Sequence, residues 1–168
     1  MDPPTVQVTY LELRRPPQPA PVRVGDERVT VESVGLDAYL SLYRRVGAPW
    51  RWDQRLRMPA ATLDELLRSG RLHVHVLRDG RGGALGLCEF DHAGYPEIEL
   101  KHFGLVPDAQ GRGLGPWLLA NALEAEWRAG PTRIWLHTDT WDHPAAVAVY
   151  QQAGFEIYDV RQEPVDDL

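Results

Sequence analysis

The sequence predicts an α+β fold in which helices flank one twisted, mixed and mostly antiparallel sheet. Three strand-like runs joined by tight turns lie in the middle of the chain and predict an antiparallel meander. A strand–helix–strand–helix–strand alternation follows them. With 43% hydrophobic residues, the 168-residue chain can bury a core of its own. We therefore expect residues 1–168 to form a single domain.

Composition limits the classes of partner. The net charge of −6 argues against nonspecific binding to nucleic acid. No stretch approaches the ~20 consecutive apolar residues of a membrane span, and no basic-then-apolar signal pattern opens the chain. Cys88 is the single cysteine, which excludes an intrachain disulfide, and its apolar neighbours favour a buried thiol. We expect a cytoplasmic protein with no nucleic-acid or membrane partner, and a homodimer stays open.

The N-terminal third predicts two strands and a proline-rich loop. Val6–Leu13 and Arg28–Val34 alternate apolar with polar residues, and we expect both to join the sheet or cap its edge. Arg14–Pro21 has four prolines in eight residues, which excludes a helix or a central strand. A surface loop is the favoured interpretation there, with a proline-rich ligand segment as the alternative.

Two helices are predicted next, with a loop over Gly47–Met58 between them. Leu36–Val46 carries apolar residues at helical spacing. For the second helix, Thr62 suits the N-cap position and Glu65 completes a capping box. Gly70 is then expected to end that helix.

The second half of the chain predicts the meander and the alternating elements. The turns of the meander are Asp79-Gly80 and Ala93-Gly94. The elements expected in order are strands Leu72–Leu77, Ala84–Phe90 and Glu97–Val106, helix Gly113–Ala129, strand Arg133–Thr138, helix His143–Ala153, strand Phe155–Val160, and a loose acidic tail over residues 162–168.

A glycine-rich turn, Gln-Gly-Arg-Gly-Leu-Gly at residues 110–115, joins a strand to a helix. Backbone N–H groups at a helix start lack partners, and the helix dipole favours an anion there. Gly113 and Gly115 lack a Cβ, so a diphosphate can approach the backbone closely. A Walker loop is excluded because the only lysine, Lys101, precedes the turn. Pro116 stands where a dinucleotide motif needs its third glycine.

The remaining pattern, Gln/Arg-x-x-Gly-x-Gly/Ala, resembles the pyrophosphate loop of the GCN5-related N-acetyltransferases (the GNAT superfamily), which bind acetyl-CoA. The segment His143–Phe155 resembles the same family's Asn-x-x-Ala-x-x-x-Tyr-x-x-x-Gly-Phe helix. Ala146, Tyr150, Gly154 and Phe155 match, whereas histidine replaces asparagine at the first position. The two resemblances cover about residues 95–160. The alternative is a glycine-rich turn that only joins strand to helix.

This resemblance implies a GNAT-like fold and a cofactor site. The fourth and fifth core strands would splay apart with acetyl-CoA between them, and no metal is implied. The backbone at the end of the splayed strand would pair with the pantetheine arm. His143 would replace the family asparagine or cap its helix beside Pro144. The expected cofactor contacts are Leu105, Val106, Gln110, Gly111, Arg112, Gly113, Leu114, Gly115 and His143.

Two residues are expected to carry the chemistry of acetyl transfer. Tyr150 occupies the family's general-acid position for the coenzyme A thiolate, and the alternative is a core tyrosine. Glu99 lies eleven residues before Gln110, where the histone acetyltransferase branch has its general base. The alternative for Glu99 is an ion pair with Lys101 or an arginine. Glu97 and His102 remain candidates, since a bulge in the strand would re-aim side chains.

The resemblance also implies that the first helices and their connecting loop form the wall of the acceptor site. Trp50 and Trp52 look exposed there and could contact an apolar or cationic amine, although packing against the sheet is the alternative. Glu97 is added because alternation places it on the face of Glu99. His73 and His75 share a strand face and could start a metal site, but no zinc-type spacing completes it.

Two functions are compatible with these residues. The leading hypothesis is an acetyl-CoA-dependent N-acetyltransferase whose primary amine acceptor, a small molecule or a protein amine, attacks the thioester directly. The alternative is a non-catalytic acyl-CoA-binding or regulatory domain with the same fold.

Overall fold

The computed structural model describes residues 1–165, in which one seven-stranded sheet carries four α-helices. Short 3₁₀ turns cover Ala48–Trp50 and Pro107–Ala109. None of the helices in this part of the chain is long and apolar enough to cross a bilayer. The elements are β1 (Thr5–Leu13), β2 (Arg28–Glu32), α1 (Leu36–Gly47), α2 (Ala60–Arg68), β3 (Leu72–Arg78), β4 (Ala84–Asp91), β5 (Glu97–Leu105), α3 (Leu114–Trp127), β6 (Arg133–Asp139), α4 (Ala146–Gln152) and β7 (Glu156–Pro164).

The sheet confirms the predicted mixed and mostly antiparallel architecture. Its strand order is β2-β3-β4-β5-β6-β1-β7, and only the β5–β6 pair is parallel. The expected meander is present as β3, β4 and β5. The N-terminal strand β1 lies inside the sheet, between β6 and β7, where Val8 and Leu11 are fully buried. β7 forms one edge of the sheet and β2 forms the other. Both early strands, β1 and β2, therefore join the sheet as expected.

The strands β5 and β6 separate soon after they meet. Their pairing is confined to Glu97–Glu99 against Arg133–Trp135, and the rest of β6 pairs only with β1. Counted from the β2 edge, these are the fourth and fifth strands, so the predicted splay is confirmed. The gap between them opens toward the C-terminal ends of both strands.

Helices cover both faces of the sheet. Neighbouring residues of β4 point to opposite faces. Glu89 contacts α1 through Tyr39, whereas Cys88 pairs with His75, which contacts α3 through Glu126. Helix α1 therefore packs on one face and α3 on the other. The largest fully buried side chains of the core include Tyr43, Phe90, Leu118, Leu119 and Leu123.

Several predicted boundaries are wrong. Helix α2 begins at Ala60, because the carbonyl of Pro59 accepts the Leu63 N–H, and no side chain caps it. Thr62 therefore lies inside the helix, and the capping box is absent. Gly70, at φ +76°, follows the helix end as expected.

Two C-terminal boundaries also shift. Helix α4 begins at Ala146, three residues later than predicted. Strand β7 continues to Pro164 because it pairs with β1 along its length, so the start of the expected loose tail is strand. Residues 166–168 of that tail lie outside the described residues.

Candidate active site

The glycine-rich loop forms a donor-lined start for α3. Gly111 and Gly113 adopt φ +75° and +73°, a conformation that glycine reaches without strain. Gly113 is the N-cap of α3, and no side chain caps the helix. The N–H groups of Leu114 and Gly115 therefore have no intrahelical partner. Pro116 lies in the first turn, where a missing N–H costs nothing. This loop can bind an anion through its backbone.

A cavity of about 310 Å³ opens beside this loop. Most of the cofactor residues that were predicted from the sequence line it. Arg112 does not: it reaches Glu27 at 3.0 Å across the N-terminal loop, with about half of its side chain exposed. The predicted residues that line the cavity are Leu105, Gln110, Gly111, Gly113, Leu114, Gly115 and His143.

The backbone of β5 faces the gap at Leu105 rather than at Val106. The Val106 N–H donates to the Leu85 carbonyl at 2.8 Å, and the Val106 carbonyl accepts from Ala109 at 3.0 Å. Backbone groups of successive strand residues point to opposite sides. Leu105 therefore directs its N–H and C=O away from β4 and into the space between β5 and β6.

Tyr150 is buried in α4 beside this cavity. Its ring lies 5.8 Å from that of Phe103, a cavity-lining residue. Burial, with Asp142 and Cys88 as further contributors, raises the pKa of Tyr150 well above its usual value. Within residues 1–165, no hydrogen bond engages its hydroxyl. The phenol therefore keeps its proton at neutral pH and is free to donate it.

A second cavity, of about 330 Å³, meets the first at Trp50, which lines both. Trp50 also lies 5.0 Å from the His143 ring, while Trp52 packs 5.1 Å from His102. Both tryptophans are half-buried, so their expected exposure is wrong. The other lining residues are Tyr43, Arg51, Asp53, Gln54, Arg57, Lys101, His102, His137, Asp139, Trp141, Asp142 and Val165.

One wall of the second cavity is mainly charged. The Asp139 carboxyl has its pKa raised by burial and by the neighbouring Asp142. Arg51 lies 5.2 Å over the Trp141 ring and adopts φ +60°, a strained conformation for a residue other than glycine. Arg57 and Asp53 form an ion pair at 3.2 Å. This wall offers both signs of charge to a polar acceptor.

Behind that wall lies a buried polar cluster centred on Glu89, which is fully buried in β4. Its carboxylate accepts from the Tyr39 hydroxyl, from Arg55 at 2.9 Å and from His102 Nδ1 at 2.7 Å. Burial alone would raise the pKa of Glu89, but His102, Arg55 and Tyr39 outweigh it and lower the pKa to about 2. Glu89 is therefore a permanent anion.

His102 connects this cluster to the second cavity. A carboxylate can only accept a hydrogen bond, so Nδ1 carries a proton, and in the neutral form of the ring Nε2 has a lone pair. Nε2 lies 3.4 Å from the Tyr43 hydroxyl, a long contact, and the ring lines the cavity. Sequence reasoning missed Glu89 as its partner, although a glutamate in the apolar run ALGLCEF was a signal of a buried, paired charge.

A bulge, which the sequence left open as an alternative, lies in β5 next to His102. Lys101 has no partner between the pairs His102–Glu89 and Leu100–Phe90. Because Glu89 and Asp91 lie on the same face of β4, the bulge brings His102 to the face that carries Glu99.

Glu99 and Glu97 lie outside both cavities. Glu99 contacts Lys101 at 3.3 Å and His137 at 4.0 Å, and both of these partners line the second cavity. Glu97 is half exposed and pairs with Arg133 at 2.9 Å. The structure therefore brings His102, Trp50 and Trp52 together at the second cavity, with Glu99 at its margin and Glu97 outside it.

A family model decides the assignment of this fold. The model of the acetyltransferase (GNAT) family matches residues 39–155, well over half of the chain. The chain belongs to the GNAT family. The match includes the glycine-rich loop, the splayed strands and Tyr150.

Three individual proteins that are similar to this chain are acetyltransferases or GNAT proteins. A mycothiol acetyltransferase from Nocardioides sp. is 46% identical over 50 residues, which is 30% of this chain and 16% of that protein. A GCN5-related N-acetyltransferase from Sphaerobacter thermophilus superposes on 95% of this chain with a TM-score of 0.70 and 19% identity. A tandem GNAT protein from the clavulanic acid biosynthesis pathway superposes on 96% with a TM-score of 0.67 and 21% identity. This GNAT chain spans about half the length of those two structures, 52% and 54%.

Proposed function

We propose that this GNAT protein is an acetyl-CoA-dependent N-acetyltransferase in which a primary amine attacks the thioester directly. The observation that carries the proposal is the meeting of two cavities at Trp50. One cavity is lined by the glycine-rich start of a helix, which can bind an anion, and the other is lined by His102, which can accept a proton when its ring is neutral. Such an arrangement suits a phosphate-bearing donor on one side and an amine on the other.

The donor side fits coenzyme A by the chemistry of its groups. The loop at residues 110–115 offers backbone N–H donors and the positive end of α3 to a diphosphate. Leu105 offers a backbone N–H and C=O to an amide-bearing arm in the gap. His143 holds the start of α4 through its Nδ1, which accepts the Ala145 N–H at 3.0 Å. When bound, acetyl-CoA supplies an activated acetyl thioester.

The acceptor amine must lose a proton before it can attack. His102 is the better placed base, because it lines the acceptor cavity and Glu89 would stabilise the imidazolium that forms. Glu99, the base expected from the family resemblance, acts in the alternative version of this proposal, in which it takes the proton by way of His137 or a bound water. The half-buried Trp50 and Trp52 would contact the body of the acceptor, whereas Glu97 is directed away from it.

Tyr150 completes the proposed chemistry as the general acid. Its raised pKa keeps it protonated, and its unpaired hydroxyl can donate to the leaving thiolate. Lys101 and Arg51 would pair with an anionic group of the acceptor, and Asp139 or Asp142 with a cationic one. The acceptor class therefore includes small amines and protein or peptide amines.

The test is release of thiol from acetyl-CoA with a broad panel of primary amines. A thiol-reactive dye can follow the reaction directly, since the single cysteine of the chain, Cys88, is fully buried. We expect thiol release that depends on one class of amine. Tight acetyl-CoA binding without turnover on any amine would favour the non-catalytic acyl-CoA-binding domain instead.

A further inference from the structure

Three histidines and one glutamate converge on the α3 face of the sheet, outside both cavities. Glu126 lies near the C-terminus of α3 and is 2% exposed. His73 and His75 belong to β3, and His92 directly follows β4. At 1.5 Å per residue, α3 places this His–Glu cluster about 18 Å from the cofactor loop at the other end of the helix. The His–Glu cluster is therefore separate from the acetyl-transfer site.

All three imidazoles contact the same carboxylate. His73 Nδ1 lies 2.9 Å from Glu126 Oε1 and 3.2 Å from Oε2. His75 Nε2 lies 2.7 Å from Oε1, and His92 Nε2 lies 2.7 Å from Oε2. The rings of His73 and His92 lie close together, with centroids 3.8 Å apart and planes tilted by 31°. Strand β3 and the loop after β4 thus place their histidine nitrogen atoms around the two buried carboxylate oxygens of Glu126, which is distant from them in sequence.

The charge of Glu126 lacks a permanent counter-charge. A buried carboxylate is costly unless it is paired with a positive group. Its ion-pair partners within residues 1–165 are the three histidines, and an imidazole, unlike a guanidinium or ammonium, carries no permanent charge. By contrast, the buried Glu89 has Arg55 beside it. A divalent cation at the His–Glu cluster would supply the missing charge.

The ligand atoms are also spaced for a metal ion. Nδ1 of His73, Nε2 of His92 and a Glu126 oxygen all lie within 4.8 Å of one another. A tetrahedral zinc ion with bonds near 2.0–2.1 Å separates its ligand atoms by about 3.3 Å. Side-chain shifts of about 1.5 Å or less would therefore close the site. The His73 side chain is 38% exposed, which gives an ion a path from solvent.

We propose that His73, His92 and Glu126 bind one zinc ion, with water as the fourth ligand. Two imidazoles and a carboxylate are borderline and hard ligands that suit zinc better than magnesium. His75, which is buried, would donate to Oε1 and leave Oε2 for the metal, as outer groups commonly do for ligating carboxylates. The ion would join α3 to β3 and to the loop after β4, and by binding only the folded chain it would stabilise the folded state.

The test starts from tag-free full-length protein that has been stripped with a chelator. We expect one equivalent of Zn²⁺ to bind in a calorimetric titration. The melting temperature should rise by roughly 5–10 °C at a zinc concentration about 100 times Kd, and a chelator should reverse the rise. Mg²⁺ at the same concentration should leave it unchanged. Co²⁺ in place of zinc should give the intense visible absorption of a tetrahedral site.

Two ligand variants and one control decide the assignment. His92→Gln and Glu126→Gln should each weaken zinc binding by at least about tenfold and abolish the Co²⁺ spectrum. Glu124→Gln removes a charge from the exposed side of the same helix and should bind zinc like the wild type. If Glu126→Gln fails to fold, His92→Gln carries the test, because His92 lies in the loop after β4.

The proposal is overturned if stripped wild type binds no stoichiometric zinc. It is equally overturned if His92→Gln, folded by circular dichroism, keeps the wild-type zinc affinity. In either case the His–Glu cluster is held by hydrogen bonds and does not bind zinc.

Discussion

Replacing His102 with glutamine tests which group takes the proton from the acceptor amine. Glutamine keeps a side-chain N–H for Glu89 but has no lone pair that can accept a proton at neutral pH. Glu89 also keeps Arg55 and Tyr39, so its charge stays paired. We expect the fold to survive and kcat/KM to fall by about 10²- to 10⁴-fold, the usual contribution of a general base.

Glu99→Gln is the comparison variant, because it keeps the size of the side chain but removes its charge and its capacity to take a proton. Glu99 forms an ion pair with Lys101 at 3.3 Å, and an ion pair of this type contributes up to about 1 kcal/mol. If Glu99 serves only as the ion-pair partner of Lys101, loss of that ion pair in Glu99→Gln changes kcat/KM by at most about fivefold. The structure therefore predicts a much larger loss of kcat/KM for His102→Gln than for Glu99→Gln.

The assay is the pH–rate profile of wild type and both variants with one good amine. More of the acceptor is already neutral at high pH, so a variant that lacks the base should recover part of its activity there. We expect that recovery for His102→Gln and a pH-independent ratio for Glu99→Gln. The reasoning is refuted if the ratio of kcat/KM between His102→Gln and wild type does not change with pH. It is also refuted if Glu99→Gln shows both the larger loss of kcat/KM and the recovery at high pH.

Three further predictions address the acid, the cofactor loop and the buried anion. Tyr150→Phe should keep acetyl-CoA affinity while kcat falls at least about tenfold; a normal kcat would return Tyr150 to a packing role. Gly113→Glu should abolish acetyl-CoA binding measured by calorimetry, whereas Gly130→Glu, at a similar φ of +69° beyond the other end of α3, should bind normally despite equal backbone strain. For Glu89, the lowered pKa stabilises the fold above the ordinary carboxyl pKa of 4.5, and this contribution is lost as the pH falls toward the folded-state pKa of about 2. Urea unfolding should therefore show a smaller loss of stability on acidification in Glu89→Gln than in wild type, and equal losses would contradict the pairing.

The sequence predicted those parts of the site that lie close together along the chain. Residues 110–115 specify a glycine turn before a helix, and the structure places them at a helix start as expected. The meander was readable because Asp79-Gly80 and Ala93-Gly94 separate alternating runs. The sequence allowed a bulge in β5 but could not locate it at Lys101, because one extra residue barely changes the local alternation of apolar and polar residues.

The parts that were missed depend on contacts between distant segments. Glu89 meets Tyr39, Arg55 and His102 only after α1, β4 and β5 have packed, and no local spacing links them. The place of β1 between β6 and β7 is likewise set by pairing with residues more than a hundred positions away. The capping box at Thr62 failed because the helix begins earlier, where the Pro59 carbonyl accepts the Leu63 N–H.

The central claim is direct transfer of acetyl from coenzyme A to an amine. A single-turnover reaction with excess protein, analysed by mass spectrometry of both the intact chain and the acceptor, tests it most directly. We predict an acetylated amine and a chain that is never acetylated. An acetylated chain that forms before the product, or acetyl-CoA that stays bound and intact in the presence of every amine tried, would contradict the claim.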